Sequence, residues 1–433
     1  MRPPDPAVAR RLCGHIDASP SPYHAAAHAE EILVAAGFTP VDRRRPWPPG
    51  PGRRLWREGG ALVAWIDGPD HGPATGFRIV GAHTDSPNLR VKPRPDTASA
   101  GWRQLGVEVY GGVLLNSWLD RDLGLSGRVS LAPGDGDPGV TTRLVRIDRP
   151  ILRVPQLAIH LHREIDSEGL KLDRQRHLAP VWGLGAGDEG AFRRLLAAEL
   201  DVDPGRILAW DVMTHDTAPS RLVGPDEEFV SAPRIDNLAS CFCAVETLAA
   251  LDPDAPRPHR PAVALFDHEE VGSVSATGAA APLLVELLER TVAAAGGGTD
   301  ELHRTRADTV VVSADGAHAT HPNYAERHEP EHRIAVNAGP VLKVNANQRY
   351  ASDAVTSAVF LTACERADVP HQVFVNRTDL ACGSTIGPTT AATVGVGVVD
   401  AGIPQLAMHS AREFAGSHDP GWFAAVLAAF YED

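Results

Sequence analysis

The chain has 433 residues, 43% of them hydrophobic and 22% charged, and its 55 acidic against 41 basic side chains give a formal net charge of −14. That length exceeds one ordinary core, so two units or one large core with an insertion are expected. The acidic balance, the lack of a basic run and the lack of any apolar stretch of spanning length exclude nucleic acid and membrane as partners.

The first residues, MRPPDPAVARRLCGHIDASP, lack the uninterrupted apolar core of a secretory signal, so a cytoplasmic location is expected. Cys13, Cys241, Cys243, Cys364 and Cys382 form no CxxC pair, and their odd number fits a reducing compartment. After the turn Ser19-Pro20-Ser21-Pro22, the segment YHAAAHAEEILVAAGF carries Ala, Ile and Leu at helical spacing and closes at Gly37. A Pro/Arg-rich loop leads to ALVAWIDG and FRIVGAHTDS, two short buried strands. The second ends at His83-Thr84-Asp85, and the carboxyl ends of strands are where open α/β sheets hold ligands.

From residue 92 to 225 the texture changes to short alternating segments such as GVEVYGGVLL, SGRVSLA and TRLVRID, separated by Gly, Pro and Asp turns. This predicts an inserted β-rich unit with few helices, leaving residues 1–91 and 226–433 as two parts of one α/β domain. After it come the helix NLASCFCAVETLAAL, the strand AVALFD, the helix APLLVELLERTVAAAG and the strand TVVVSADG. The strands HQVFVN and ATVGVGVVDAG and a closing helix WFAAVLAAFYED follow. Near-continuous apolar runs predict strands covered on both faces, hence an α/β fold with a mixed sheet sandwiched between helices.

The strand at 263–267 runs into adjacent carboxylates, Glu269 and Glu270. One carboxylate can bind a divalent metal while its neighbour moves protons. Such doublets are commonplace on solvated turns, so the pair acquires meaning only from its company. Polar clusters fall at or just past other strand ends: His83 and Asp85 in AHTDS, Asp236 in RIDN, Asp315 in SADG, and His409 in AMHS. Each has a plain alternative, namely a satisfied histidine, a helix N-cap, a turn residue and a backbone-bonded histidine. Together they supply a bridging carboxylate, a histidine and a further carboxylate for each of two metals, and a spare carboxylate to act as base. The 19 histidines, several beside carboxylates, suit zinc.

GAHTDSPNLRVKP, SAPRIDNLAS, FDHEEVGS, SADGAHATHPNY, LKVNANQRYASD, TDLACGSTIGP and MHSAREFAG resemble, in order, the motifs of the M18 metallopeptidases, the aspartyl aminopeptidases. The resemblance runs from SPSPYHAAAHA to MHSARE and so covers nearly the whole chain. It implies a zinc-peptidase-like fold holding two Zn2+ per subunit, with Mn2+ or Co2+ as substitutes. His83 and Asp315 would bind one ion, Glu270 and His409 the other, and Asp236 would bridge. Glu269 would be the general base on a metal-bridging water, and Asp85 would orient the His83 ring. Lys343 would meet an acidic substrate side chain and Tyr350 the oxyanion, against a plain reading of both as a strand residue and a packing aromatic. Gly383 and Ser384 would lie beside the substrate backbone, and His160 in LAIHLHRE resembles a residue reaching a neighbouring subunit's site. Gly316, Ser352 and His162 depart from the usual Met, Thr and Asp.

The resemblance therefore implies a zinc aminopeptidase that removes N-terminal Asp or Glu from short peptides, with the insertion serving dimerisation in a tetrahedral homododecamer. Alternatives are an aminopeptidase of the same fold preferring neutral residues, a silent metal-binding scaffold, and a deacylase or carboxypeptidase using Arg234, Arg349 or Arg377 on a substrate carboxylate.

Overall fold

The computed structural model describes residues 5–134 and 139–433. The chain forms two compact units: Met1–Asp85 with Ser220–Met408 and Glu413–Asp433, and Ser86–Pro219 with His409–Arg412. These divisions precede the change of texture at 92 and 225, because the strand Asn88–Ser99 already belongs to the smaller unit.

The larger unit holds a nine-stranded mixed sheet. Its order is Thr39–Pro40, Gly52–Glu58, Ala61–Asp67, Arg260–Phe266, Phe77–His83, Val310–Ala314, Gly397–Gly402, Val341–Val344 and Gln372–Val375. The four strands from Arg260–Phe266 to Gly397–Gly402 are mutually parallel, so their carboxyl ends share one edge. Apolar residues on both faces explain why they sit centrally. In Phe77–His83, Val80 and Ala82 join one core with Leu12, Leu33, Phe242, Phe360 and Leu427, from helices Pro6–Ala18, Pro22–Ala35, Ile235–Ala250, Ala354–Arg366 and Asp419–Tyr431. Phe77 and Ile79 point the other way, against Leu284, Leu287 and Leu288 of helix Leu283–Ala294 and Ile386 of helix Ile386–Val394. Each large apolar side chain so buried contributes about 1.5–3 kcal/mol.

The helix predicted from Tyr23 spans Pro22–Ala35 and stops where Gly37 takes φ 90. The run ATVGVGVVDAG, expected as a single strand, divides. Its Ala-Thr-Val closes helix Ile386–Val394, Gly395 turns the chain at φ 73, and only Gly397–Gly402 pairs in the sheet. A five-stranded sheet of short segments, Arg221–Val223, Phe229–Ala232, Glu413–Gly416, Pro404–Leu406 and Ala317–His318, completes this unit.

The smaller unit is a six-stranded antiparallel sheet ordered Thr141–Leu152, Leu123–Leu131, Ile207–Asp216, Asn88–Ser99, Trp102–Tyr110 and Val181–Leu184. Its core gathers Leu89, Leu105, Leu123, Leu125 and Val129 beneath Phe192 and Leu196 of helix Ala191–Leu200. Trp102, Val140, Leu161 and Leu184 remain exposed on it. Among the described residues no helix is long and apolar enough to cross a membrane.

Candidate metal centre

His83 is the last residue of its strand and is buried. Its Nδ1 lies 3.0 Å from the Asp85 carbonyl oxygen and 3.4 Å from Asp85 Oδ1. Its Nε2 faces two carboxylates, Asp236 Oδ1 at 3.3 Å and Asp315 Oδ1 at 3.4 Å. Three segments distant in sequence thus meet at one imidazole nitrogen.

Asp236 is not the N-cap of its helix. Arg234 holds that position at φ 56, and Asp236 sits in the first turn with non-helical φ −79 and ψ 106, its N–H donating to Glu413 Oε2 at 2.8 Å. Asp315 follows the strand Val310–Ala314, and its N–H donates to the Ala401 carbonyl at 3.0 Å. Lys343 is almost fully buried, and its Nζ donates to the Asp315 carbonyl at 3.0 Å, the Gly316 carbonyl at 3.2 Å and Asp315 Oδ2 at 3.4 Å.

The glutamate doublet lies in a short 3-10 turn, Glu269–Val271, framed by left-handed residues His268 (φ 64) and Gly272 (φ 97). Asp85 braces it: Oδ1 accepts the Glu269 N–H at 3.0 Å and Oδ2 accepts the Glu270 N–H at 3.1 Å. Asp85, expected to orient the His83 ring, meets it through its carbonyl at 3.0 Å and its carboxylate at 3.4 Å, and the same carboxylate spans the doublet.

The site crowds negative charge. Burial pushes the Glu269 carboxyl up to about 8, with Asp315, Asp236 and Asp85 adding to burial and His83 opposing it. Burial also holds Glu270 well above the usual carboxylate range, Asp236 contributing next. Burial alone would lower His83, but its contacts with Asp236, Asp315 and Asp85 hold it well above the ordinary imidazole range. His83, Asp236 and Glu270 offer ligand atoms within 4.8 Å of one another. An imidazole with several carboxylates, buried together and short of positive charge, is the donor chemistry of a zinc site, so these residues fit that metal.

Tyr350 is buried against Phe374, at 6.2 Å between ring centroids, with Lys343 Nζ 5.1 Å from its own ring centre. Burial raises its phenol, with nearby Cys382 adding to the effect. Gly383 and Ser384 lie on an exposed loop, where Ser384 Oγ donates to the Arg349 carbonyl at 3.3 Å. A Cβ at Gly383 would meet nothing within 4 Å, so no close approach within the chain demands glycine there. His409 and His160 both lie in the smaller unit. His409 is left-handed at φ 67 with Nδ1 3.0 Å from the Gly112 carbonyl, and His160 sits in the exposed 3-10 turn Ile159–Leu161.

The three arginines weighed for carboxylate recognition are engaged within the chain. Arg234 donates to the carbonyls of Ser19 and Ile16, Arg349 to that of Cys382, and Arg377 pairs with Asp379. Sequence reasoning missed Glu413 and Asp400. Glu413 is only the last letter of MHSARE. Asp400 is a polar residue inside an apolar strand, a signal of a buried partner that does not name the partner.

The family model for the aminopeptidase I zinc metalloproteases (M18) matches residues 15–431. The probable M18 family aminopeptidase 2 of Streptomyces coelicolor is 52% identical over 423 residues, 97% of this chain and 96% of its own. Its counterpart in Mycobacterium tuberculosis is 52% identical over 429 residues, 98% of each. Among solved structures, one described as the complex of Ape4 and Nbr1 superposes with TM-score 0.94 at 36% identity, covering 98% of this chain and 85% of that one. The S. cerevisiae mApe1 dodecamer gives 0.86 at 26%, covering 98% and 96%.

Proposed function

We propose that this chain, which belongs to the M18 family of zinc aminopeptidases, removes N-terminal Asp or Glu from short peptides at a two-zinc centre. The observation that carries this reading is the meeting of Asp236 and Asp315 at His83 Nε2 beside the braced glutamate doublet. His83 and Asp315 would hold one Zn2+ and Glu270 and His409 the other, with Asp236 serving both; Mn2+ or Co2+ would be substitutes. When bound, such ions bring a water's pKa down to about 7 and polarise the scissile carbonyl.

The chain's own groups do the rest. Glu269 takes a proton from the attacking water and returns it to the departing amine as the C–N bond breaks. The Tyr350 phenol, kept protonated by burial, donates to the oxyanion as it develops. Lys343 is the cation for an acidic first side chain. Its contact with Asp315 Oδ2 is the longest of its three at 3.4 Å, and is the one a substrate carboxylate would displace.

The second reading is a preference for neutral residues, favoured by that same lysine: its donors already have acceptors inside the chain. Hydrolysis of aminoacyl substrates bearing Asp, Glu, Leu or Ala separates the two. Faster release of Asp and Glu supports the acidic preference, and faster release of Leu replaces it.

Self-association follows as part of the proposal. In the smaller unit exposed Trp102 and Leu184 stand side by side on paired strands, and exposed apolar patches mark protein interfaces. A homododecamer built from dimers, in the cytoplasm, with His160 reaching a neighbouring subunit, would restrict entry to short peptides.

A further inference from the structure

We propose that Asp400 is a positioning residue that locks together the two loops meant to meet the substrate, residues 345–353 and 376–385. The inference rests on the aminopeptidase reading above and adds to it a residue with no metal or proton role.

Asp400 stands fully buried in strand Gly397–Gly402, where Val398, Val399 and Ala401 are apolar core residues. Its register partner on the antiparallel neighbour is Lys343. Oδ1 accepts from Ser313 Oγ and from Thr385 Oγ1, each at 2.6 Å, and Oδ2 accepts the Ala351 N–H at 2.6 Å. Its own N–H donates to Ser352 Oγ at 2.9 Å. One carboxylate therefore ties three separate segments. Ser313 lies two residues before Asp315, Ala351 and Ser352 directly follow Tyr350, and Thr385 directly follows Gly383 and Ser384.

Above this anchor the two loops also touch. Ser384 Oγ donates to the Arg349 carbonyl and Arg349 Nε to the Cys382 carbonyl, both at 3.3 Å. The helix starting at Ile386 is shaped around the carboxylate, since a Cβ at Gly387 would come 2.3 Å from Asp400 Oδ2. An apolar residue would fill this strand position at no electrostatic cost. A buried carboxylate with every oxygen committed is the arrangement that fixes the geometry of what it holds. The groups held are those next to Tyr350 and Ser384, so Asp400 acts on substrate binding through them.

The test uses the full zinc-loaded chain. Asp400→Ala should raise KM for an N-terminal glutamyl substrate about ten-fold with zinc content unchanged, the scale expected when substrate-positioning groups shift by a fraction of an ångström. Asp400→Asn, which can donate to both hydroxyls and accept the Ala351 N–H, should recover to within about three-fold of the parent. Amide exchange at 349–352 and 384–387 should quicken in the Ala variant and much less in the Asn variant. If Asp400→Ala fails to fold, Thr385→Val and Ser352→Ala carry the same two measurements, each loosening one loop.

Unchanged exchange in these loops, or a fall in melting temperature with KM unmoved, overturns the proposal. If the parent protein hydrolyses no aminoacyl substrate, the aminopeptidase reading fails, and the exchange measurement still decides whether Asp400 holds the loops.

Discussion

Glu269 and Glu270 are chemically identical neighbours on one braced turn, and their difference lies in what each faces. Glu270 joins His83 and Asp236 in the cluster whose ligand atoms lie within 4.8 Å of one another, whereas Glu269 is outside that cluster. Substituting Glu269→Gln should leave zinc bound and cut turnover by about 10²–10⁴-fold, the usual worth of a general base. Glu270→Gln should instead lower the zinc content. Metal analysis of the purified variants beside steady-state rates checks both; appreciable activity in the first would place the base elsewhere.

His15 offers a prediction away from the metal. Its ring is buried against Phe242 and His28, with centroids 5.6 Å and 5.0 Å apart, and neither nitrogen finds a hydrogen-bond partner among the described residues. Burial, with His28 adding, lowers it from 6.5 to about 3. Between those values the unfolded chain binds the proton and the folded chain does not, so stability is lost as pH falls through that window. His15→Phe should lessen the acid-side loss of melting temperature and leave the neutral value little changed.

At this scale the residues proposed as metal donors stood out in the sequence because polar groups fall at or just past the ends of apolar strands. Glu413 and Asp400 were not. Their partners lie 177 residues away in the case of Asp236 and 48 or more in the case of Ser352 and Ser313, and only folding reveals the pairing.

Among elements, the central parallel strands were readable from sequence because both faces are apolar, and the inserted unit because its strands alternate. The helices Pro6–Ala18, Thr299–Ala307 and Ala354–Arg366 were not picked out, and neither was the sheet built from two- to four-residue strands, which is too short to show a period. The strand Gly397–Gly402 ends in a glycine for a reason visible only in three dimensions. A Cβ at Gly402 would stand 1.8 Å from the Asp315 carbonyl oxygen. Gly402→Ala must push apart the strand ends that carry Asp315, costing about 1–3 kcal/mol by overpacking. It should also weaken zinc binding, which thermal unfolding and metal titration measure separately.

For the molecule as a whole, length and texture led to the expectation of an insertion over 92–225, but not that the tetrapeptide His409–Arg412 would compact with Ser86–Pro219. Four residues carry too little pattern to be assigned. The exposed apolar side chains of the smaller unit bear on assembly: Leu184 is 70% and Trp102 50% accessible in the isolated chain, on the paired strands Val181–Leu184 and Trp102–Tyr110. A variant with Trp102→Glu and Leu184→Glu should sediment as a smaller species than the parent while keeping its far-ultraviolet circular dichroism. An unchanged sedimentation coefficient would remove this patch from the assembly.

The bracing of the doublet by Asp85 also bears on how this site can change over generations. Asp85 holds main-chain N–H groups, which every residue but proline possesses, so the shape of the turn is insulated from the side chains displayed on it. Residues 269 and 270 can therefore be exchanged one at a time without dismantling the local backbone. A scaffold of this kind can be retuned toward another metal, or fall silent and be revived, by single substitutions.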